Sequence, residues 1–115
     1  MSKNEILDVS FEFALMIIQY CEGLEENRKY VISRQLLRSG TSIGANVREA
    51  QNAESEADFI HKLKIAAKES DETEYWLTLC KHSPNYSDPG DLIEKLTSIK
   101  KLLNKIIATI KNRNK

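Results

Sequence analysis

Apolar residues recur along this chain at intervals of three and four, the period of an α-helix, and no stretch alternates with period two as a half-buried strand would. Near the start, Leu7, Phe11, Ala14, Ile18 and Cys21 form one stripe, with Phe13, Ile17, Tyr20 and Leu24 as a second beside it. The pattern predicts a helix over about 4–23, capped by Ser2-x-x-Glu5 and stopped by Gly23. Two stripes are more apolar surface than a surface helix of a monomer needs, which points to self-association. A second helix, over about 29–53, carries Ile32, Leu36, Ile43, Val47 and Ala50. Its middle, Ser39-Gly40-Thr41-Ser42-Ile43-Gly44-Ala45, is poor in helix formers, each Gly costing roughly 1 kcal/mol against Ala. The apolar positions nevertheless keep their phase across both glycines, so the spacing predicts one continuous helix there.

Ser55-x-x-Asp58 is a start signal for a third helix, over about 56–82. Its stripe is Phe59, Leu63, Ala66, Ser70, Thr73, Leu77 and Cys80, with Ile65, Trp76 and Leu79 on another face. The turn-rich stretch Ser83-Pro84-Asn85-Tyr86-Ser87-Asp88-Pro89-Gly90 reads as a connection. A fourth helix, over about 90–112, has Leu92, Leu96, Ile99, Leu103, Ile106 and Ile110 in heptad spacing. Four rods with short links predict an all-α, antiparallel up-down-up-down four-helix bundle, one domain over 1–115 and oligomeric.

Composition supports this reading. With 115 residues, 41% apolar and 30% charged, the chain suits a single soluble core, and four Gly and two Pro are too few for a sandwich or barrel. The longest apolar run, Phe13 to Ile18, is too short to span a bilayer, and acids come before any apolar stretch at the start. Two cysteines make no disulfide framework, so the expectation is a cytoplasmic protein with reduced thiols and no membrane partner. Net charge is zero but segregated. Residues 1–54 hold six basic against eight acidic side chains, 55–94 four against nine, and 95–115 seven against none.

Catalytic signals are weak. A di-iron bundle needs two Glu-x-x-His motifs, whereas this chain has a single Asp58-x-x-His61, with His82 near a helix end. Cys21 and Cys80 fall on apolar stripes and read as small core residues. In the glycine-containing stretch, Ala45 stands where a phosphate loop needs Lys. The expectation is no enzyme, no metal and no cofactor.

Binding signals are stronger. On a helical wheel Arg38 and Arg48 lie within about 40° of Arg34, with Tyr30, Thr41 and Ala45 in the same arc. Such a face suits phosphates and a stacked base. It equally suits solvent, or ion pairs with Glu69, Glu72 and Glu74 of the third helix. The tail cations Lys95, Lys100, Lys101, Lys105, Lys111, Arg113 and Lys115 complement a helix C-terminus, but exceed what capping requires. The candidate nucleic-acid-binding set is Arg34, Arg48, Lys100, Lys101, Lys105, Lys111 and Arg113.

Around Gln35, Leu36, Arg38, Ser42, Ile43, Asn46, Val47 and Glu49 the chain resembles a bacterial family of four-helix-bundle proteins encoded in intervening sequences of 23S ribosomal RNA genes. Asp58-Phe59-Ile60-His61-Lys62-Leu63 and Glu72-Thr73-Glu74-Tyr75-Trp76-Leu77 fit the third-helix pattern, and the likeness covers about residues 8–112. Ala50 stands where many members have Gly, and Glu69 where many have Ser. Accessory variability proteins of diversity-generating retroelements are distant relatives. The resemblance implies a ring-like homopentamer without enzyme activity, associated with RNA or with a protein partner such as a reverse transcriptase. It also implies a structural polar network of Arg38, Asn46, Glu49 and Glu72, between the second and third helices or between subunits.

Overall fold

Four helices form where the apolar spacing places them. The computed structural model describes residues 4–113: α1 (Glu5–Glu26), α2 (Tyr30–Ala50), α3 (Glu56–His82) and α4 (Leu92–Arg113), with no strand among the described residues. Each helix packs against two neighbours in the order α1, α2, α3, α4 and back to α1, while the diagonal pairs α1–α3 and α2–α4 have no Cα atoms within 8 Å. The body measures 49 × 26 × 22 Å.

Caps set the helix ends. Asn4 caps α1, its side chain accepting from the Leu7 N–H at 3.2 Å; the cap expected at Ser2, like Lys115, lies outside the described residues. The expected stop at Gly23 is overrun by one turn, because nothing crowds that position and the reversal falls instead at Asn27 and Arg28, where φ is +62°. Ser55 caps α3 as expected, accepting from the Asp58 N–H at 3.0 Å. The α3–α4 connection is moored to the bundle. The Tyr20 hydroxyl donates to the Ser87 carbonyl at 2.6 Å, Lys29 sits over the Tyr86 ring, Pro89 is buried, and Gly90 turns the chain at φ +65°.

Of the two stripes on α1, the second faces inward. Phe13, Ile17 and Leu24 are buried with Cys21, whereas Phe11 and Ile18 of the first remain exposed. Leu36, Ile43 and Val47 of α2, Leu63 and Leu77 of α3, and Leu96 and Leu103 of α4 complete the core. Hydroxyls occur inside it only with partners. Ser33 donates to the Cys21 carbonyl at 3.2 Å, and the Ser39 and Thr73 hydroxyls meet across α2 and α3 at 2.9 Å. Among the described residues no buried side-chain polar atom is left unpaired.

α2 runs unbroken through both glycines, and its neighbour explains why. A Cβ on Gly40 would lie 2.9 Å from two side-chain carbons of Ile17, and one on Gly44 would lie 3.3 Å from the Ser10 carbonyl oxygen. The glycines let α2 lie directly on α1, and that packing offsets their poor propensity. Ile17 is fully buried, so a shift of its side chain must press on other core residues. Gly40→Ala is therefore expected to destabilise by about 1–3 kcal/mol through overpacking, despite the better helix former. Gly23→Ala, in open space, should stabilise by about 0.5–1 kcal/mol. Urea denaturation at one fixed protein concentration checks both signs.

Candidate nucleic-acid interface

The outward face of α2 carries Arg34, Arg38 and Arg48, because the opposite positions Leu36, Ile43 and Val47 are drawn into the core. The three arginines have different fates. Arg38 reaches α3, paired with Glu69 at 3.3 Å and with Glu72. Glu72 also accepts from Trp76 Nε1 at 3.0 Å. These hydrogen bonds, Arg38 first and Trp76 second, hold the Glu72 carboxyl below the usual carboxylate range. Arg34 and Arg48 are exposed and form no ion pair among the described residues. Of the three acids weighed as partners for this face, Glu69 and Glu72 serve it, and Glu74 serves α4.

The implied polar network divides within the chain. Arg38 and Glu72 meet, but Glu49 turns to Lys62 at 3.0 Å, and the Asn46 amide donates to the Ser42 carbonyl of its own helix at 2.9 Å. Sequence spacing gave no sign of Lys62, whose pairing with Glu49 depends on the register between α2 and α3; the Trp76 indole stands one turn from Glu72 on the same helix, and that i,i+4 spacing was the signal that could have found it.

The cations of α4 also divide. Lys100 is held between Asp71 and Glu74, each at 2.9 Å, and those hydrogen bonds raise its pKa. Arg113 pairs with Glu56 at 2.5 Å. Lys101 and Lys105 are exposed and without an ion pair among the described residues. Lys111 lies beside Lys64, whose hydrogen bond first and like charge second lower its pKa.

The sequence of this four-helix chain matches a known group. The family model described as 23S rRNA-intervening sequence protein matches residues 2–107. The chain belongs to the 23S rRNA-intervening sequence protein family. The likeness extends to a crystal structure of a protein with unknown function from the S23 ribosomal protein family of Bacteroides thetaiotaomicron VPI-5482. That protein is 48% identical, with a TM-score of 0.84 and coverage of 89% of this chain and 97% of the other. No curated protein matches this intervening-sequence chain.

The groups considered for catalysis have structural surroundings. No group of three or more His, Cys, Asp or Glu side chains among the described residues is placed to hold a metal. Asp58, the carboxylate nearest His61 in sequence, accepts from the Glu54 N–H at 3.4 Å at the start of α3. No helix among the described residues is long and apolar enough to cross a membrane. Cys21 and Cys80 are buried on the diagonal helices α1 and α3, whose Cα atoms nowhere approach within 8 Å. A disulfide needs Cα atoms closer than about 7 Å, so the two thiols cannot join without moving a helix. Burial pushes the Cys21 thiol up to about 11 against the opposing Ser33 hydrogen bond, and pushes the Cys80 thiol up against the smaller opposing influence of the Tyr20 hydroxyl. An unfolded thiol ionises near pH 9, so the stability Cys21 contributes is fully present below that pH and is lost as pH rises to about 11. The expected result is a falling urea midpoint between pH 8.5 and 10.5, diminished in Cys21→Ala when each is compared with its own neutral-pH value. A thiol-reactive dye at neutral pH should label both cysteines only after denaturation.

Proposed function

We propose that this chain is a non-catalytic, cytoplasmic, RNA-associated scaffold, an antiparallel up-down-up-down bundle that assembles as a homopentamer. The observation that carries the RNA reading is the exposed, unpaired state of Arg34, Arg48, Lys101 and Lys105. Cations already tied to carboxylates, as Lys100 and Arg113 are, have less to offer a phosphate. Lysines bind phosphate as point charges and read no base, so the contact is weakly specific and gains strength from repetition around the oligomer. Family membership supports the fold and assembly. Being encoded within an rRNA gene is no evidence of binding that rRNA.

A second reading is a scaffold that docks another protein without nucleic acid; the resemblance to retroelement accessory proteins makes a reverse transcriptase one such partner. The exposed apolar residues Phe11, Leu15 and Ile18 favour it.

Titration of labelled single-stranded RNA at several salt concentrations separates the readings. Each phosphate contact contributes a log–log slope of roughly −0.7 on single strands, so Lys101→Gln/Lys105→Gln/Lys111→Gln should flatten the slope by roughly 2 per engaged subunit. Lys100→Gln should leave it nearly unchanged. Absence of salt-sensitive binding by the wild type at low ionic strength removes the RNA reading and leaves protein docking.

A further inference from the structure

α3 belongs to the most acidic stretch of the chain, yet the face it turns outward is cationic. The partners of its acids explain the difference. Glu69 and Glu72 lean to α2, where both meet Arg38, and Asp71 and Glu74 lean to α4, where both hold Lys100. Glu56 reaches Arg113, and Asp58 accepts from the Glu54 N–H at the start of the helix. Every carboxylate of α3 is thus drawn to a flank or an end.

Lys64, Lys68 and Tyr75 stay on the outward face. At about 100° per residue they fall within about 40° of one another, opposite the buried Leu63, Ala66 and Leu77. All three are exposed, and neither lysine forms an ion pair among the described residues. Lys111 of α4 comes up beside Lys64 and adds a third amine at that end of the row. At the other end the Tyr75 ring is 59% exposed and meets the Trp76 ring edge-on, with centroids 5.4 Å apart. That neighbour is anchored, since Trp76 packs against the core and donates to Glu72.

From Lys64 to Tyr75 the row spans roughly 16 Å of helix. Cations followed by an exposed ring suit a single strand of nucleic acid, which sets phosphates on the amines and a base on the ring. An acidic peptide would use the cations and leave the ring idle. We infer that the outward face of α3 is a second contact surface for single-stranded RNA, with Lys64, Lys68 and Lys111 on phosphates and a base stacked on Tyr75. This rests on the RNA reading above and adds to it a separate face and a stacked base. α3 is diagonal to α1, so the clefts that flank α1, where Arg48, Lys101 and Lys105 stand, lie across the bundle from it. The two sets of cations do not compete for the same phosphates.

The single tryptophan is a built-in reporter, because a base on Tyr75 comes to rest beside Trp76. The probe is a single-stranded oligouridylate of about eight nucleotides, within the span such platforms cover. End-labelled, it reads affinity by anisotropy at several salt concentrations; unlabelled, it reads stacking by Trp76 emission. Wild-type emission should fall on binding. Lys64→Gln/Lys68→Gln should flatten the log–log salt slope by roughly 1.4, two contacts at about −0.7 each. Tyr75→Ser should keep the slope but weaken binding about tenfold, and Tyr75→Phe should bind within about twofold of wild type. The substituted positions are exposed, and circular dichroism checks that each variant remains helical. A wild type without salt-sensitive binding overturns the RNA reading and this face together. Salt-sensitive binding with steady Trp76 emission, with a Lys64→Gln/Lys68→Gln or Tyr75→Ser variant equal to wild type, or with Tyr75→Phe no better than Tyr75→Ser overturns this face and leaves the RNA reading standing.

Discussion

The close approach of α2 to α1 is the constraint on which the remaining packing depends. Gly40 lies against Ile17 and Gly44 against the Ser10 backbone, so α2 has one rotational setting relative to α1 and a narrow range of axial ones. With that setting fixed, Ser33 meets the Cys21 carbonyl at one end of the pair, and Asn4 reaches Gln51 at 2.6 Å at the other. The same rotation turns Leu36, Ile43 and Val47 into the core and leaves Arg34 and Arg48 outside. It also places Ser39 where Thr73 of α3 can share its hydroxyl. The arginine face of α2 is thus a by-product of how the glycine face is seated.

Much of the fold was legible because helical periodicity is a local signal. The stripes of α2, α3 and α4 appear in the core nearly as spaced, and the phase of Leu36, Ile43 and Val47 across Gly40 and Gly44 correctly implied an unbroken helix. The choice between the two stripes of α1 was not legible. Both are apolar, and only the seating of Ile17 against Gly40 determines that Phe13 faces in and Phe11 out. The end of α1 was misjudged for a related reason: Gly23 looks like a stop in sequence, but it fits within a helix and leaves the turn to Asn27 and Arg28.

The candidate interface was legible by residue type but not by partner. Lys100 and Lys101 are adjacent and chemically identical, yet about 100° of helix rotation separates them. One falls between Asp71 and Glu74 while the other faces solvent, a distinction that requires the register of α3 against α4. Asn46 shows the opposite limit. Its amide has a carbonyl of its own helix within reach and takes that local bond in place of the longer-range network.

α4 is fastened at both ends and, through Lys100 on Asp71 and Glu74, along its α3 side. The connection before it is held by Tyr20, Lys29 and the buried Pro89, and its last turn by Arg113 on Glu56. Between those points it meets α1 lightly and takes most of its support from α3. Mechanically it is a beam on two supports, whose mid-span stands clear on one side without being unbraced. Filling the gap beneath a beam of this kind loads neither support, so the cleft can be empty or occupied while Leu96 and Leu103 keep the same neighbours in the core.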